Sequence, residues 1–342
     1  MEYNGFGDLA YLNYPCGNMK GVFFSLILVF LLFTLIAIVF MQRSLVTYYY
    51  SQTGIETRAT AMNGFYNDLV EDSKKAIGIV GKRAIASAIS YVVSKGVALS
   101  QANETLSELI TNGTIDGEEQ PLMNQSTIVD WEKKMEDIGS LEGFDTELEV
   151  KNVVVQPFDS FDLKISYSLE VNLSDKNFKM NLSRIKTLDV IVDINGFEDP
   201  LYPLYTYGRA VNLFIKTPHW MNYSSDDLTN LQDDLNNSYY HPSKDGGSFL
   251  DRLEGKCVVQ DKYKITNTEI GLESFVNKDD LESLGLPVDE DRSNIDYIYL
   301  CGLNVQAYQI NGMPSNFRLD NQTTVLGMTH LQIYNVTERV IT

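Results

Sequence analysis

The longest apolar stretch of the chain lies near its N-terminus. From Val22 to Met41 the sequence reads VFFSLILVFLLFTLIAIVFM, in which only Ser25 and Thr34 are polar, and both hydroxyls can bond back to helix carbonyls. At 1.5 Å per residue, a helix of about 20 residues crosses a hydrocarbon core of about 30 Å. The alternative is a buried core helix, but a helix that is apolar on every face requires lipid around it. We therefore predict a transmembrane helix over residues 22–41.

Helical periodicity continues beyond this apolar stretch. From Ser44 to about Leu99 the chain contains no proline, and its apolar residues recur close to the helical period. These residues are Met62, Phe65, Leu69, Ile77, Val80, Ala84, Ala88 and Val92. Such spacing places them on one helix face. We predict that residues 42–100 form a long amphipathic helix outside the membrane.

Residues 101–199 pass from a polar stretch to alternating patterns. The segment up to about residue 127 is rich in Asn and Gly and predicts a polar connector. Thr127–Ile138 then predicts a short helix capped by Ser126 or Thr127. Three alternating segments follow, at Thr146–Val155, Asp162–Val171 and Thr187–Ile194. We predict an antiparallel sheet here, against which the long helix packs because each element has one apolar face to cover.

Two prolines, Pro200 and Pro203, mark a domain boundary near residue 200. Residues 200–342 are predicted to form a second, mixed α/β unit. Its predicted helices are Ser225–Leu235 and Ser248–Leu253, and its predicted strands lie near Cys257–Gln260, Ile295–Tyr299, Val305–Ile310 and His330–Tyr334. The predicted fold class of the whole chain is α+β.

Charge and motifs limit the classes of function. The formal net charge of −19 repels nucleic-acid phosphates, so we expect no nucleic-acid partner. The chain contains no glycine-rich phosphate loop, zinc-protease helix motif, C-x-x-C pair or G-x-S-x-G elbow. We expect a protein that is not an enzyme and that carries no cofactor, catalytic residue or metal centre.

Three groups of side chains are candidates for ligand binding, and for each a structural role is the favoured interpretation. The three histidines, His219, His241 and His330, lack zinc-site spacing. The acidic groups are Asp289, Glu290 and Asp291 with Asp296, and Asp279 and Asp280 with Glu282; calcium binding is the alternative to solvated loops. The aromatic residues Tyr202, Tyr205, Tyr207, Trp220, Tyr223, Tyr239 and Tyr240 suit either core packing or contacts with a glycan or protein.

Cysteines and glycosylation triplets indicate on which side of the membrane the body of the protein, the part after the apolar stretch, lies. Lys20 and Arg43 flank the apolar stretch on opposite sides, so the positive-inside rule does not decide. Cys257 and Cys301 can form a disulfide worth about 3 to 4 kcal/mol in an oxidising compartment, the alternative being two buried free thiols. All nine Asn-X-Ser/Thr triplets lie after the stretch, at Asn103, Asn112, Asn124, Asn172, Asn181, Asn222, Asn236, Asn321 and Asn335. We predict a cytoplasmic N-terminus and an extracellular body.

The start of the apolar stretch carries a family resemblance. Lys20 and Gly21 followed by Val22 resemble the leader junction of archaeal type IV pilin-like proteins with class III signal peptides. The resemblance implies cleavage between Gly21 and Val22, with residues 1–21 as the leader, or as a cytoplasmic segment if uncut. The MKGVFFSL opening and the GFEDPLY stretch beginning at Gly196 are also similar to uncharacterised archaeal membrane-anchored surface proteins. Met1 and Met19 remain alternative starts.

Two functions are favoured by these patterns, and an anchored enzyme is a third interpretation that no motif supports. The leading hypothesis is a non-enzymatic, single-pass surface glycoprotein of the cell membrane, pilin-like at its N-terminus, with a structural or adhesive role. Its partners would be membrane lipid and other pilin-like subunits, contacted through the N-terminal helix, and it could be a minor pilus subunit. The alternative is an extracellular module that binds a glycan, calcium or a protein and is displayed by the membrane anchor.

Overall fold

The structure, a computed structural model, describes residues 19–175 and 177–341, without the side chains of residues 19–23 and 51. Most of the predicted leader therefore lies outside the described residues. The chain divides into two compact units, Met1–Ala61 and Met62–Thr342. Its class is α+β, with a long apolar N-terminal helix followed by antiparallel sheets, which confirms the predicted class.

The first helix, α1, spans Met19–Lys95. In the second unit its buried residues include Met62, Leu69, Ile77, Ala84 and Val92, which recur close to the helical period. The helix contacts the main sheet, and Ser73 and Gly81 lie at this contact. Ser73 Oγ lies 2.8 Å from the hydroxyl of Tyr167. Gly81 leaves room for Ile165, because a Cβ atom at position 81 would lie 2.5 Å from the Ile165 Cδ1 atom. The helix ends before Gly96, whose φ of 65° only glycine adopts readily.

The segment predicted to be a polar connector contains an additional helix. Helix α2 spans Ala102–Asn112 and is followed by a short hairpin of strands β1 (Thr114–Ile115) and β2 (Glu118–Glu119). The prediction was wrong here because the exposed face of α2 is polar, whereas its buried face carries only a few apolar residues, such as Leu106 and Leu109. Helix α3 spans Ile128–Leu141 and is capped by Thr127, as predicted.

The main sheet has three antiparallel strands in the order β3-β4-β5. Their bounds are Asp145–Pro157, Asp162–Asp175 and Met180–Asp193. The central strand β4 alternates between buried and half-buried side chains along its whole length, which is the pattern of a sheet with one covered face. A register shift between Lys151 and Val154 interrupts the pairing of β3 with β4.

Helix α3 protects the outer edge of β3. The carboxylate of Glu132 accepts a hydrogen bond from the Val150 amide at 2.6 Å, and that of Glu136 accepts one from the Leu148 amide at 3.2 Å. These bonds satisfy edge groups that would otherwise be open to pairing with another chain.

The C-terminal part, residues 200–341, consists of short elements. The helices are α4 (Leu201–Tyr205), α5 (Thr229–Asn237), α6 (Phe249–Leu253), α7 (Lys278–Ser283), α8 (Asp296–Leu300) and α9 (His330–Ile333). The strands are β6 (His241–Ser243), β7 (Gly271–Glu273), β8 (Ala307–Ile310), β9 (Arg318–Asp320) and β10 (Val340–Ile341). They form a β6-β7 pair and a β10-β8-β9 sheet, both antiparallel.

Two of the predicted strands are helices. Ile295–Tyr299 corresponds to α8 and His330–Tyr334 to α9, because runs of four or five residues are too short for alternation to separate strand from helix. The predicted strand at Cys257–Gln260 is reduced to a single bridge between Gly246 and Val258. The predicted strand at Val305–Ile310 is present as β8.

The second unit contains one large apolar core and two smaller ones. The large core joins residues of α1 and the main sheet with Phe214, Tyr240, Phe249 and Leu272. The domain boundary predicted near residue 200 therefore coincides with a change of element type inside one compact unit. The second-largest core includes Cys257, which forms a disulfide with Cys301 at a Cα–Cα distance of 6.4 Å.

Candidate functional site

The apolar part of α1 is the largest exposed hydrophobic surface among the described residues. Every residue from Phe24 to Tyr50 is exposed, and the leucine, isoleucine, valine and phenylalanine side chains between Phe24 and Phe40 are 43 to 76% exposed. Of the described helices, only this one is long and apolar enough to cross a membrane. Large exposed apolar surfaces mark membrane or protein contacts.

Polar groups within the apolar stretch are satisfied by the helix itself. The Thr34 hydroxyl donates to the carbonyls of Leu31 at 2.8 Å and Phe30 at 3.1 Å, so it presents no free hydrogen-bonding group to lipid. Three consecutive tyrosines, Tyr48 to Tyr50, lie roughly 10 Å beyond Met41 at 1.5 Å per residue. Tyrosine is enriched where membrane meets water.

The second feature is a network of fully buried charges in the C-terminal part. Arg252, on α6, is 0% exposed and donates to the carboxylates of Asp199 and Asp296, the latter at 2.8 Å. Its remaining N–H groups bond to the carbonyls of Gly247 and Leu272. Burial raises the pKa of Asp296 even though Arg252 opposes the shift. All three charged groups thus have hydrogen-bonding partners, which buried charges require.

A second buried pair of carboxylates surrounds His330, the first residue of α9. Its Nδ1 atom lies 2.7 Å from Asp320, and its Nε2 atom lies 3.2 Å from Glu273. Burial by itself would lower the pKa of His330, but the two carboxylates outweigh burial and raise that pKa to about 10. The same contacts lower the pKa values of Glu273 and Asp320 despite their burial. The imidazole is therefore charged at neutral pH and donates from both nitrogens.

A third cluster places a buried histidine among aromatic rings. The ring of His241 lies 5.4 Å from that of Trp220 and 5.5 Å from that of Tyr334, and its Nε2 atom lies 3.3 Å from the Asp234 carboxylate. Asp234 accepts hydrogen bonds from the Tyr223 hydroxyl at 2.5 Å and from a threonine hydroxyl at 2.8 Å, whereas the Nε2 atom of His241 makes no hydrogen bond to the described residues. The desolvation of Tyr223 raises its pKa well above the ordinary value.

Lys278 is buried as well. Its ammonium donates to the carbonyls of Glu290, Arg292 and Asn316 at 3.0, 2.6 and 2.8 Å. Burial lowers the pKa of Lys278 to about 8. One ammonium thus holds three loop carbonyls together.

These clusters support folding rather than chemistry on a substrate. Asp199, Asp234, Arg252, Asp296 and His330 are all 0% exposed, so a substrate does not reach them in this structure. Among the residues that the structure describes, no group of three or more His, Cys, Asp or Glu side chains is placed to hold a metal ion. Asp296, which the sequence suggested as a calcium ligand with Asp289 to Asp291, is instead bound to arginine.

The predicted modification sites lie at the surface. Of the nine glycosylation asparagines, Asn103 and Asn172 are half-buried and the other seven are exposed. Asn172 and Asn181 lie on adjacent strands, where each pairs with the serine of the other triplet. The predicted processing site falls at Lys20, Gly21 and Val22, whose side chains lie outside the description. Processing and glycosylation stay predictions.

Sequence reasoning missed the buried charges, although one signal was present. A threonine or serine followed three residues later by an acid or amide marks a helix start. Thr329 with Gln332 precedes the helix of His330, and Ser248 with Asp251 precedes that of Arg252. These capping boxes indicate the helices but not which charges become buried.

The charge on His330 gives a testable pH dependence. A base whose pKa rises on folding stabilises the protein fully below its unfolded pKa, about 6.5, and this contribution is lost as pH rises toward 10. The lowered pKa of Lys278 makes its contribution to stability increase as pH rises above 8, which opposes the loss from His330. The effect of His330 is therefore clearest between pH 6.5 and 8. We expect the free energy of unfolding to fall by about 2 kcal/mol across that window in urea titrations.

Replacing the imidazole identifies the group responsible for the slope. His330→Gln should remove this dependence on pH, whereas His219→Gln, at a half-exposed histidine paired with Asp233 at 2.8 Å, should retain it. An unchanged slope in His330→Gln would show that another group titrates.

The geometry thus presents an apolar helix surface and a body stabilised by buried charges. The first feature makes the N-terminal helix a candidate membrane span, and the second concerns how the rest of the chain folds. Comparisons with protein-family models, with curated proteins and with solved structures give no match.

Proposed function

We propose that this chain is a non-enzymatic, membrane-anchored protein of the cell surface whose apolar helix serves for anchoring and for assembly with similar subunits. The observation that carries the proposal is the apolar surface from Phe24 to Phe40, which is exposed among the residues that the structure describes. Exposure on all faces over about five turns requires lipid or neighbouring apolar helices. One surface can meet both needs in turn, first in the membrane and then among neighbouring subunits.

The body supports a pilin-like arrangement, in which the outer half of the first helix packs on an antiparallel sheet. The hydrogen bond of Ser73 with Tyr167 and the close approach of Gly81 to Ile165 are contacts of this kind. A glycine at the approach brings helix and strand together, since a larger residue would meet the isoleucine. The proposal adds that this body is extracellular, as the exposed glycosylation triplets favour.

The proposed assembly begins with removal of the leader at the junction of Gly21 and Val22. Cleavage on the cytoplasmic side would leave Val22 as the first residue of the apolar helix. Neighbouring helices would then cover the phenylalanine and leucine side chains that the isolated chain exposes. An exterior ligand-binding role is the second candidate, and a lysine-lined pocket on the body favours it.

Expression of the full chain with a prepilin peptidase tests this proposal. We expect intact-mass measurement to give a chain beginning at Val22, and we expect the cleaved protein in the sheared filament fraction. Gly21→Val places a branched side chain at the junction and should leave the leader in place and the protein in the membrane. Gly17→Val, in the same leader, is the matched control and should be cleaved normally.

The two parts of the proposal can fail separately. An uncut N-terminus in the presence of the peptidase would contradict the predicted junction. Cleaved protein that remains entirely in membranes after shearing would contradict assembly and leave the anchoring role. Glycopeptide mapping of the same sample reports which of the nine asparagines are modified and so tests the extracellular placement of the body.

A further inference from the structure

The body carries a pocket whose charge is opposite to that of the protein. It has a volume of about 320 Å³ and lies between the turn that joins β3 to β4 and the loop of residues 261–268. Its titratable lining residues are Lys164, Lys262, Lys264 and one tyrosine. The chain as a whole carries a formal charge of −19, so a site lined by lysines stands out as a place for an anion.

Two of these lysines have carboxylate partners, but their ammonium groups can still bind a ligand. The Lys264 ammonium lies 2.7 Å from Asp261, but both side chains are largely exposed, at 60% and 94%, and such surface pairs contribute little. Lys262 lies 2.7 Å from the buried carboxylate of Glu254, which positions its ammonium while leaving further N–H donors for a ligand.

Apolar side chains complete the pocket. Phe158 is 48% exposed and Ile265 is 37% exposed, and both line the pocket beside the lysines, together with the amide of Gln156. A simple inorganic anion makes no apolar contacts and does not require these side chains. Aromatic and aliphatic surfaces with a few placed polar groups are typical of pockets for organic ligands.

The walls of the pocket are held in place by hydrogen bonds. The Ser160 hydroxyl in the β3–β4 turn donates to the carbonyl of Glu269 at 3.2 Å. On the other side, the Tyr263 hydroxyl donates to Glu254 at 2.6 Å, and the same carboxylate accepts the Ala102 amide at 2.7 Å. A pocket formed in advance loses less entropy when a ligand binds.

We infer that this pocket binds an acidic carbohydrate, with lysines on its carboxylate groups and Phe158 against the apolar face of a sugar ring. Its volume is at the small end of ligand pockets and fits one or two rings. The inference rests on the second candidate function, for which it names a ligand class, and it holds whether or not the chain assembles.

Calorimetric titration of the full-length protein in phosphatidylcholine nanodiscs tests the inference. The probes are digalacturonic acid, its fully methyl-esterified form and inorganic phosphate, all at constant salt. We expect the acid to bind and the ester to bind at least tenfold more weakly, because esterification removes the charge that the lysines meet. We expect phosphate to bind more weakly than the acid, because it lacks a sugar ring.

Single substitutions assign the binding to this pocket. Lys164→Gln and Lys264→Gln should each weaken binding of the acid about tenfold, since each removes one charged hydrogen bond. Phe158→Ala should weaken binding of the acid but not of phosphate. Lys133→Gln, at an exposed lysine on α3, is the matched control and should bind as the parent does.

Three outcomes would overturn the inference. The first is equal affinity for the acid and its ester. The second is an affinity for phosphate as high as that for the acid, together with no effect of Phe158→Ala. The third is undiminished binding of the acid by both lysine variants. The Lys264 substitution keeps the test decisive, because that side chain is largely exposed and its loss does not threaten the fold.

Discussion

Replacing Arg252 with methionine is expected to lower the free energy of unfolding by at least about 3 kcal/mol. The methionine side chain fits an arginine site approximately, but it leaves Asp199 and Asp296 buried without their cation. It also leaves the carbonyls of Gly247 and Leu272 without their donor. Unpaired buried charges and carbonyls cost more than the lost hydrogen bonds themselves.

Urea unfolding of the full-length protein in detergent, followed by the fluorescence of Trp131 and Trp220, measures this effect. Arg209→Met is the matched control, because Arg209 is exposed and its guanidinium donates to the carbonyl of Gly285 at 3.2 Å. We expect the control to change stability by less than about 1 kcal/mol.

Removing the carboxylates together with the arginine separates the cost of unpaired buried charges from the cost of lost hydrogen bonds. The triple variant Arg252→Met, Asp199→Asn and Asp296→Asn leaves no net charge in the cluster and should recover part of the stability lost by Arg252→Met. If Arg252→Met and Arg209→Met were equally stable, the cluster of Arg252, Asp199 and Asp296 would contribute nothing to the stability of the fold.

The long elements of this fold could be predicted from the sequence because each has a periodic pattern over many residues. The first two strands of the main sheet lie close to the predicted segments, whereas the third predicted segment covers only the second half of its strand. Thr127 caps α3 as its sequence indicates. Where elements are only four or five residues long, as in α8 and α9, the same patterns no longer distinguish helix from strand.

The buried charges could not be predicted for a different reason. Arginine, aspartate and histidine are mostly exposed in proteins, so sequence reasoning assigns them to solvent. Arg252 meets Asp199 and Asp296 only after segments 53 and 44 residues apart have folded together. His330 likewise meets Glu273, 57 residues away. No local spacing encodes these pairs.

The same limitation applies to the lysine-lined pocket. Lys164 lies on a strand, whereas Lys262 and Lys264 lie in a loop about a hundred residues later. In sequence, each lysine has one aspartate within three residues, Asp162 or Asp261, and suggests only a solvated surface. The fold brings them to one pocket with Phe158 as its apolar wall. Sites of this kind depend on the packing of the body, which the periodic patterns alone do not specify.

Two arginines in the middle of the apolar helix are expected to abolish stable membrane anchoring. Leu31 and Leu35 lie one turn apart, near the centre of the predicted span from residue 22 to residue 41, and both are about 60% exposed. Each arginine at a helix centre costs about 3 kcal/mol on insertion, and two on one face leave no short route for both charges to reach water. The Leu31→Arg/Leu35→Arg variant should therefore leave the membrane fraction.

Extraction of isolated membranes with alkaline carbonate, followed by immunoblotting, measures the anchored fraction. Ile79→Arg is the matched control, because Ile79 is a 61% exposed apolar residue of the same helix, but in its outer part beyond the predicted span. We expect the parent and Ile79→Arg to stay in the membrane pellet and the double variant to be released. A double variant that resists extraction as the parent does would show that residues 22–41 do not cross the bilayer, because lipid would not tolerate two central charges on a single spanning helix.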